Sequence, residues 1–387
     1  MRIEVKNSRA ISMNFKPLKF FKKWDRTTIV VFSLVLFLAV FGCIMVYSAS
    51  SYMAEVRYGN EFHFLFKQII GVVLGTLGML FFTFFPYEKL KKFKWPIVIL
   101  SAVLLALVFI PGIGIENYGA RRWVNLFVIS FQPSEIAKFA LVIFAAVHLS
   151  KNYDKVKKLK GLLPVLAVGA IFALLIILEP NMSITMCVVF ILVLMLFVGG
   201  ISFKHFAMLA VPVALLVPLL IIVEPYRLLR LMAFVDPWAS PQGEGFQLIQ
   251  SLYSLGGGGW FGVGLFASRQ KYLFLPFSES DFIFSIIGEE LGFIGAGVVL
   301  LIFLVLIILL IKIGLNAKDR LGTLLSVGIA GVIGIQTLLN IAVVTGSIPP
   351  TGLPLPFISA GSTSVLVFMS AVGIALNVHR RSKVRIQ

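Results

Sequence analysis

An all-α polytopic membrane protein with ten transmembrane helices is the fold class this sequence predicts, on three observations. Hydrophobic residues make up 59% of the chain and charged residues only 13%, a balance outside the usual range of soluble domains. Ten apolar segments approach or exceed the ~20 residues that a helix needs to cross a hydrocarbon core. The basic residues gather between those segments rather than within them.

The elements follow in order. The first 27 residues carry eight Lys or Arg (Arg2, Lys6, Arg9, Lys16, Lys19, Lys22, Lys23 and Arg26). The apolar run at 28–50 is too long for the h-region of a cleaved signal and reads as an uncleaved first span. Further spans are expected at 64–85, 96–111, 133–149, 161–178, 183–200, 205–223, 282–311, 321–345 and 361–379. With a cytoplasmic N-terminus, the inside segments are 1–27, 86–95, 150–160, 199–204, 312–320 and 380–387, and they hold 25 of the 34 Lys and Arg. The positive-inside rule therefore puts both termini in the cytoplasm. The chain, 1–387, reads as one membrane domain: a basic tail at 1–27, helices 1–7 over 28–223, a large extracytoplasmic loop at 224–281, helices 8–10 over 282–379, and a short tail at 380–387.

The cytoplasmic loops are short and basic, suited to touching anionic membrane lipid. Because the net charge of +17 lies in those loops, it does not indicate nucleic acid. Cys43 and Cys187 fall inside expected spans and give neither a disulfide framework nor metal-ligand spacing. His63, His148, His205 and His379 are too scattered to suggest a serine triad or a zinc site. "LGGGGWFGVG" (255–264) lacks the Lys-Ser/Thr of a P-loop, so no nucleotide is implied.

What remains on the outer face is a set of cations and carboxylates. In "ENYGARRWVNLFVISFQPSEIAK", Arg121 and Arg122 precede a helix opening at Pro133. Glu135 and Lys138, three residues apart on it, can pair. They read either as a structural ion pair or, with the arginines, as part of a phosphate site. Arg227, Arg230, Arg269 and Lys271 in the large loop read either as part of an amphipathic surface segment or as a pocket for an anionic headgroup.

"YLFLPFSESDFIFSIIGEELG" (272–292) brings Glu279, Asp281, Glu289 and Glu290 to the edge of a span, where acidic groups are costly. The apolar stretch 293–311 is nearly long enough to cross alone, so 281–292 should form an outer extension. On an ideal helix Asp281, Ser285, Gly288 and Gly292 share one narrow face, suited to lining a cavity or to close helix packing. Glu289 and Glu290, about two turns deeper, are expected to support the helix through polar partners. A polyprenyl-diphosphate sugar carries its own leaving group. A transferase acting on one outside the cell needs cations for the diphosphate and one carboxylate to deprotonate the acceptor hydroxyl. Asp281, after the cationic loop, is the best-placed base, and a single displacement would invert the anomeric carbon.

The motifs "MVYSASS", "ARRW...FQPSEIAK", "PYRLLR...F.DP", "GEGFQ...SL", "GVGLFASRQK..FLP...SDFIFSIIGEELGFIGA" and "TGLPLPFIS" occur in an order that resembles the SEDS family of FtsW, RodA and SpoVE proteins over nearly the whole chain. "SRQK" and "MVYSASS" look more like the FtsW and SpoVE branch. The resemblance implies a multi-pass protein of the cytoplasmic membrane. Its activity would be that of a peptidoglycan glycosyltransferase polymerising lipid II onto a growing glycan chain, with a class B penicillin-binding protein as partner. It also implies that Asp281 is the catalytic carboxylate, that Glu135 and Lys138 lie at the central cavity, and that a divalent cation, Mg or Mn, assists with no readable ligand set. Alternatives within the same setting are a lipid II flippase, using Glu135, Lys138 and Glu179, and a noncatalytic scaffold. The chain departs from the family at Phe277, Glu279 and Ser280, where Glu, His and Thr are usual, at Asn181 in "EPNMSI", and at Ala360 in "ISAGSTS", where Tyr is usual.

Overall fold

The computed structural model describes residues 24–117, 120–126, 129–156, 158–208, 211 and 225–383. The helices are α1 (Arg26–Tyr58), α2 (His63–Phe84), α3 (Leu90–Leu107), α4 (Pro133–Lys151), the single turn α5 (Tyr153–Val156), α6 (Leu159–Leu178), α7 (Met182–Val198), α8 (Pro225–Val235), α9 (Phe246–Gly258), α10 (Ile283–Leu315), α11 (Arg320–Val344) and α12 (Ser362–Lys383). Among the described residues seven helices are long and apolar enough to cross a membrane: α1, α2, α4, α6, α10, α11 and α12. The apolar α7 is shorter. The third expected span, 96–111, appears as α3, displaced toward its Lys-rich start, where lysine stems can lie along apolar surface while their ammonium groups stay wet. Of the seventh, residues 205–208 continue a helical stretch begun at 203, and most of the remainder lies outside the described residues.

Residues α4, α11 and α12 contribute form the enclosed centre of the bundle, while α1, α2, α6 and α10 turn apolar side chains such as Phe37, Phe66, Leu174 and Leu301 outward. Close packing of α2 on α12 depends on small residues: a Cβ at Gly71 would lie 2.5 Å from the Ser362 Cα. Capping residues fix several helix starts. Asp25 accepts from the Thr28 N–H at 3.2 Å, and Asp319 from the Gly322 N–H at 2.9 Å. Asn181 accepts from the Ile184 N–H at 3.3 Å, so this departure from the family pattern keeps an N-cap acceptor.

The outer connection before α4 contains an element the hydropathy pattern hides. It is a three-stranded antiparallel sheet of β1 (Gly114–Asn117), β2 (Ala120–Leu126) and β3 (Ile129–Phe131), with Gly114 opposite Val124 and Val124 opposite Phe131. Three- to seven-residue strands beside charged residues give too little period-2 signal to stand out in the sequence.

The long eighth apolar segment is two helices in one. Gly292 interrupts α10 with φ 69° and ψ −172°, separating an outer piece from the lipid-facing span, at the boundary the length of the segment suggested. The glycine run 255–264 fills the break. The Phe293 and Ile294 N–H groups donate to the Gly259 and Trp260 carbonyls at 2.8 and 3.1 Å, and the Val263 and Gly264 N–H groups donate to those of Glu289 and Glu290 at 2.9 and 3.0 Å. Only glycine fits at 292, because its φ is left-handed and an added Cβ would meet the Gly262 nitrogen at 2.3 Å.

Candidate active site

Asp281 lies just before α10, on a bend whose main chain is tied down at three successive carbonyls. Ala360 donates its N–H to the Glu279 carbonyl at 2.9 Å. The Ser359 hydroxyl donates to the Ser280 carbonyl at 2.6 Å. The Asn340 amide donates both to the Asp281 carbonyl at 2.8 Å and to the Leu353 carbonyl at 2.7 Å. All three donors belong to α11 or to the α11–α12 connection. That connection also passes beneath the carboxylate: a Cβ at Gly352 would stand 2.8 Å from Asp281 Oδ2.

The Asp281 carboxylate itself receives no hydrogen bond or ion pair among the described residues, and it is partly open to solvent. Burial by the surrounding protein, reinforced by the negative Glu279, pushes its pKa up to about 7, against the opposing pull of Arg122 and Arg230. Glu279 is also pushed up by burial, with its own N–H, Arg57 and Ser278 acting in the other direction.

The two arginines approach from different elements. Arg122, on β2, donates to the Pro180 carbonyl at 2.5 Å and the Glu179 carbonyl at 3.4 Å, which joins the sheet to the α6–α7 turn. Arg230, on α8, donates to the Pro350 carbonyl at 3.2 Å and lies 3.7 Å from Glu244. Arg227 falls in the first turn of α8, and its side chain lies outside the described residues.

Glu135 and Lys138 form a buried pair at 2.7 Å in the centre of the bundle. Lys138 also donates to the Gln336 side-chain oxygen, Ser364 donates to Glu135 at 2.9 Å, and the Gln336 amide donates to the Pro354 carbonyl at 2.8 Å. The same connection that carries Gly352 thus joins the central pair to the Asp281 bend.

The remaining cations sit elsewhere. Arg121 pairs with Glu116 at 3.0 Å on the sheet surface. The Arg269 side chain is exposed. Lys271 is buried, 3.4 Å from Glu290 and 2.6 Å from the Phe266 carbonyl, so its ammonium group helps hold its own loop. The expected face of Asp281, Ser285, Gly288 and Gly292 divides likewise. Asp281 precedes the helix, while Ser285 meets Ser251 at 2.8 Å and Gly288 packs on Gly258 of α9. Among the described residues no three His, Cys, Asp or Glu side chains converge to hold a metal ion.

The FtsW/RodA/SpoVE cell cycle protein model matches residues 28–384. The chain belongs to this family. It is 39% identical over 353 residues to Stage V sporulation protein E of Bacillus subtilis (strain 168), covering 90% of this chain and 96% of that one. It is 38% identical over 355 residues to the "Probable peptidoglycan glycosyltransferase FtsW" of Geobacter sp. (strain M18), covering 92% and 97%. Two solved structures share the FtsW/RodA/SpoVE fold. One is a chain from a study of polymerization and crosslinking by a peptidoglycan synthase complex, with a TM-score of 0.74, 29% identity and coverage of 91% and 98%. The other is the rod shape determining protein RodA of Thermus thermophilus, with a TM-score of 0.66, 26% identity and coverage of 91% and 96%.

Two groups were not legible as site residues in the sequence. Asn340 is a lone polar residue in an apolar stretch and Ser359 closes "TGLPLPFIS", and their hydrogen bonds reach 59 and 79 positions along the chain. No local pattern announces such contacts.

Proposed function

We propose that this protein is a peptidoglycan glycosyltransferase that polymerises lipid II on the outer face of the cytoplasmic membrane. The observation that carries this reading is the Asp281 carboxylate, without a hydrogen-bond partner among the described residues, on a main chain fixed at three successive carbonyls and in the field of Arg122 and Arg230. A base whose pKa lies near 7 is matched to proton abstraction at neutral pH. Family membership and the names of the relatives support the substrate class.

In this mechanism Asp281 takes the proton of the acceptor sugar hydroxyl as that oxygen bonds to the anomeric carbon of the donor. The bond from that carbon to the diphosphate oxygen breaks, and the polyprenyl diphosphate departs with the electron pair. Attack opposite the leaving group inverts the anomeric carbon. Arg122 and Arg230 stabilise the developing charge, guanidinium groups being suited to phosphate oxygens. Asp281 then returns its proton to water. Ten spans, cytoplasmic termini and an extracytoplasmic site complete the reading, with a class B penicillin-binding protein as the crosslinking partner.

Purified protein given lipid II and that partner should make glycan polymer, and Asp281→Asn should abolish synthesis while the variant stays folded. Polymer formed at an undiminished rate would overturn the assignment. A lipid II flippase is the second reading, favoured by Glu179, whose two carboxylate oxygens are buried without a hydrogen-bond partner among the described residues. Following lipid II exposure in liposomes without polymerisation separates the two.

A further inference from the structure

We infer that Asn340 and Ser359 are positioning residues that hold Asp281 in its working orientation by clamping the carbonyls before and at it. The inference rests on the reading of Asp281 as the base. Among the described residues no hydrogen bond orients the Asp281 carboxylate through its oxygens. The remaining way to fix it is to fix its main chain, and the structure does so at three consecutive peptide groups. Ala360 contributes only its N–H to Glu279, a contact that does not depend on the side chain at this position. Ser359 is both acceptor and donor, receiving the Leu355 N–H at 2.7 Å and donating to the Ser280 carbonyl at 2.6 Å. Asn340 is fully buried and divides its amide between the Asp281 and Leu353 carbonyls.

The bonds to Leu353 and Leu355 make the clamp specific. They hold the segment that carries Gly352, whose bare backbone leaves room for Asp281 Oδ2. One side chain therefore sets both the position of the base and the wall beside it. Neither residue touches the reacting atoms in this account; each acts through Asp281. Losing one hydrogen bond from a buried carbonyl leaves that carbonyl unsatisfied, and the bend relaxes toward geometries in which the carboxylate turns to water.

The test uses full-length Asn340→Ala and Ser359→Ala proteins in nanodiscs with the partner transpeptidase, lipid II as substrate, and Asp281→Asn as control. The expected result is a kcat lowered on the order of 10- to 100-fold for Asn340→Ala and less for Ser359→Ala. KM should stay within about twofold, and the acidic limb of the pH–rate profile should move to lower pH as the carboxylate becomes solvated. A residue that only stabilises the fold would lower the amount of active protein and leave that limb unmoved. If Asn340→Ala does not fold, Ser359→Ala, which deletes one oxygen, carries the test. Variants with unchanged kcat, or with reduced kcat and an unmoved acidic limb, overturn the clamp. Full activity of Asp281→Asn instead overturns the base reading beneath it, so the two failures are distinguishable.

Discussion

The acidic segment 279–290 contains two sites of opposite design. At Asp281 no described residue bonds the carboxylate, and the described tethers all fall on the main chain. At Glu289 and Glu290 the carboxylates are themselves the tethers. Glu289 receives the hydroxyls of Ser254 and Ser268 at 3.1 and 2.5 Å and the Arg269 N–H at 2.9 Å. Glu290 receives the Ser48 hydroxyl at 2.6 Å, the Ser268 N–H at 3.2 Å and Lys271 at 3.4 Å. Eight residues therefore separate a group available for chemistry from a pair of structural bolts that fasten the loop 263–271 and α1 onto α10. The difference shows that accumulated negative charge at a membrane edge does not identify a catalytic group. What separates Asp281 from Glu289 and Glu290 is where the hydrogen bonds end.

The largest effect should come from breaking the bolts. Lys271→Met strands the buried Glu290 and should cost ~3–5 kcal/mol, read as a fall in unfolding temperature, and Lys271→Met with Glu290→Leu should recover much of it. Failure of the double variant to recover stability would show that Lys271 and Glu290 do not act as a pair. At the other site Gly352→Ala should leave unfolding nearly unchanged but slow polymerisation on the order of 10- to 100-fold, because the new methyl displaces Asp281 Oδ2. Next in size is Glu279→Gln, which removes a repelling charge and should move the acidic limb of kcat/KM to lower pH.

Asp281→Asn sharpens the comparison through stability. The folded-state pKa of about 7 lies above the ordinary 3.8. The proton on Asp281 therefore contributes stability fully below about 3.8, and that contribution is lost as pH rises through 7. Relative to wild type, the variant should gain on the order of 1–3 °C in unfolding temperature at pH 8, a gap that closes toward pH 4. Smallest of all, Arg269→Ala removes an exposed side chain and keeps the described hydrogen bonds, which are all made by the main chain. It should change rate and stability by less than about twofold and ~0.5 kcal/mol.

Much of this was legible in the chain. Apolar runs locate the spanning helices because a bilayer tolerates no unsatisfied backbone and few charges. The spacing of Glu135 and Lys138 announces their ion pair, since residues three apart share a helix face. The excess length of 282–311 announces the break that Gly292 makes. Asp281 stands out as the acidic residue that follows the cationic loop, and the ordered motifs point to its family.

The rest depended on contacts between residues far apart in sequence. Nothing local separates Lys271, paired inside its loop, from Arg230, which reaches the Asp281 neighbourhood, because both are basic residues in one outer segment. Nothing local marks Asn340, Gly352 or Ser359 as the support of Asp281. Their roles arise from the return of the α11–α12 connection against the start of α10. Sequence by itself determined which segments are apolar enough to enter a membrane and which carboxylate was a candidate base, since hydropathy and charge are properties of the residues. The tertiary structure alone decided which of the described charges are neutralised and which carboxylates lack a described partner, since both follow from distances that only the folded chain sets.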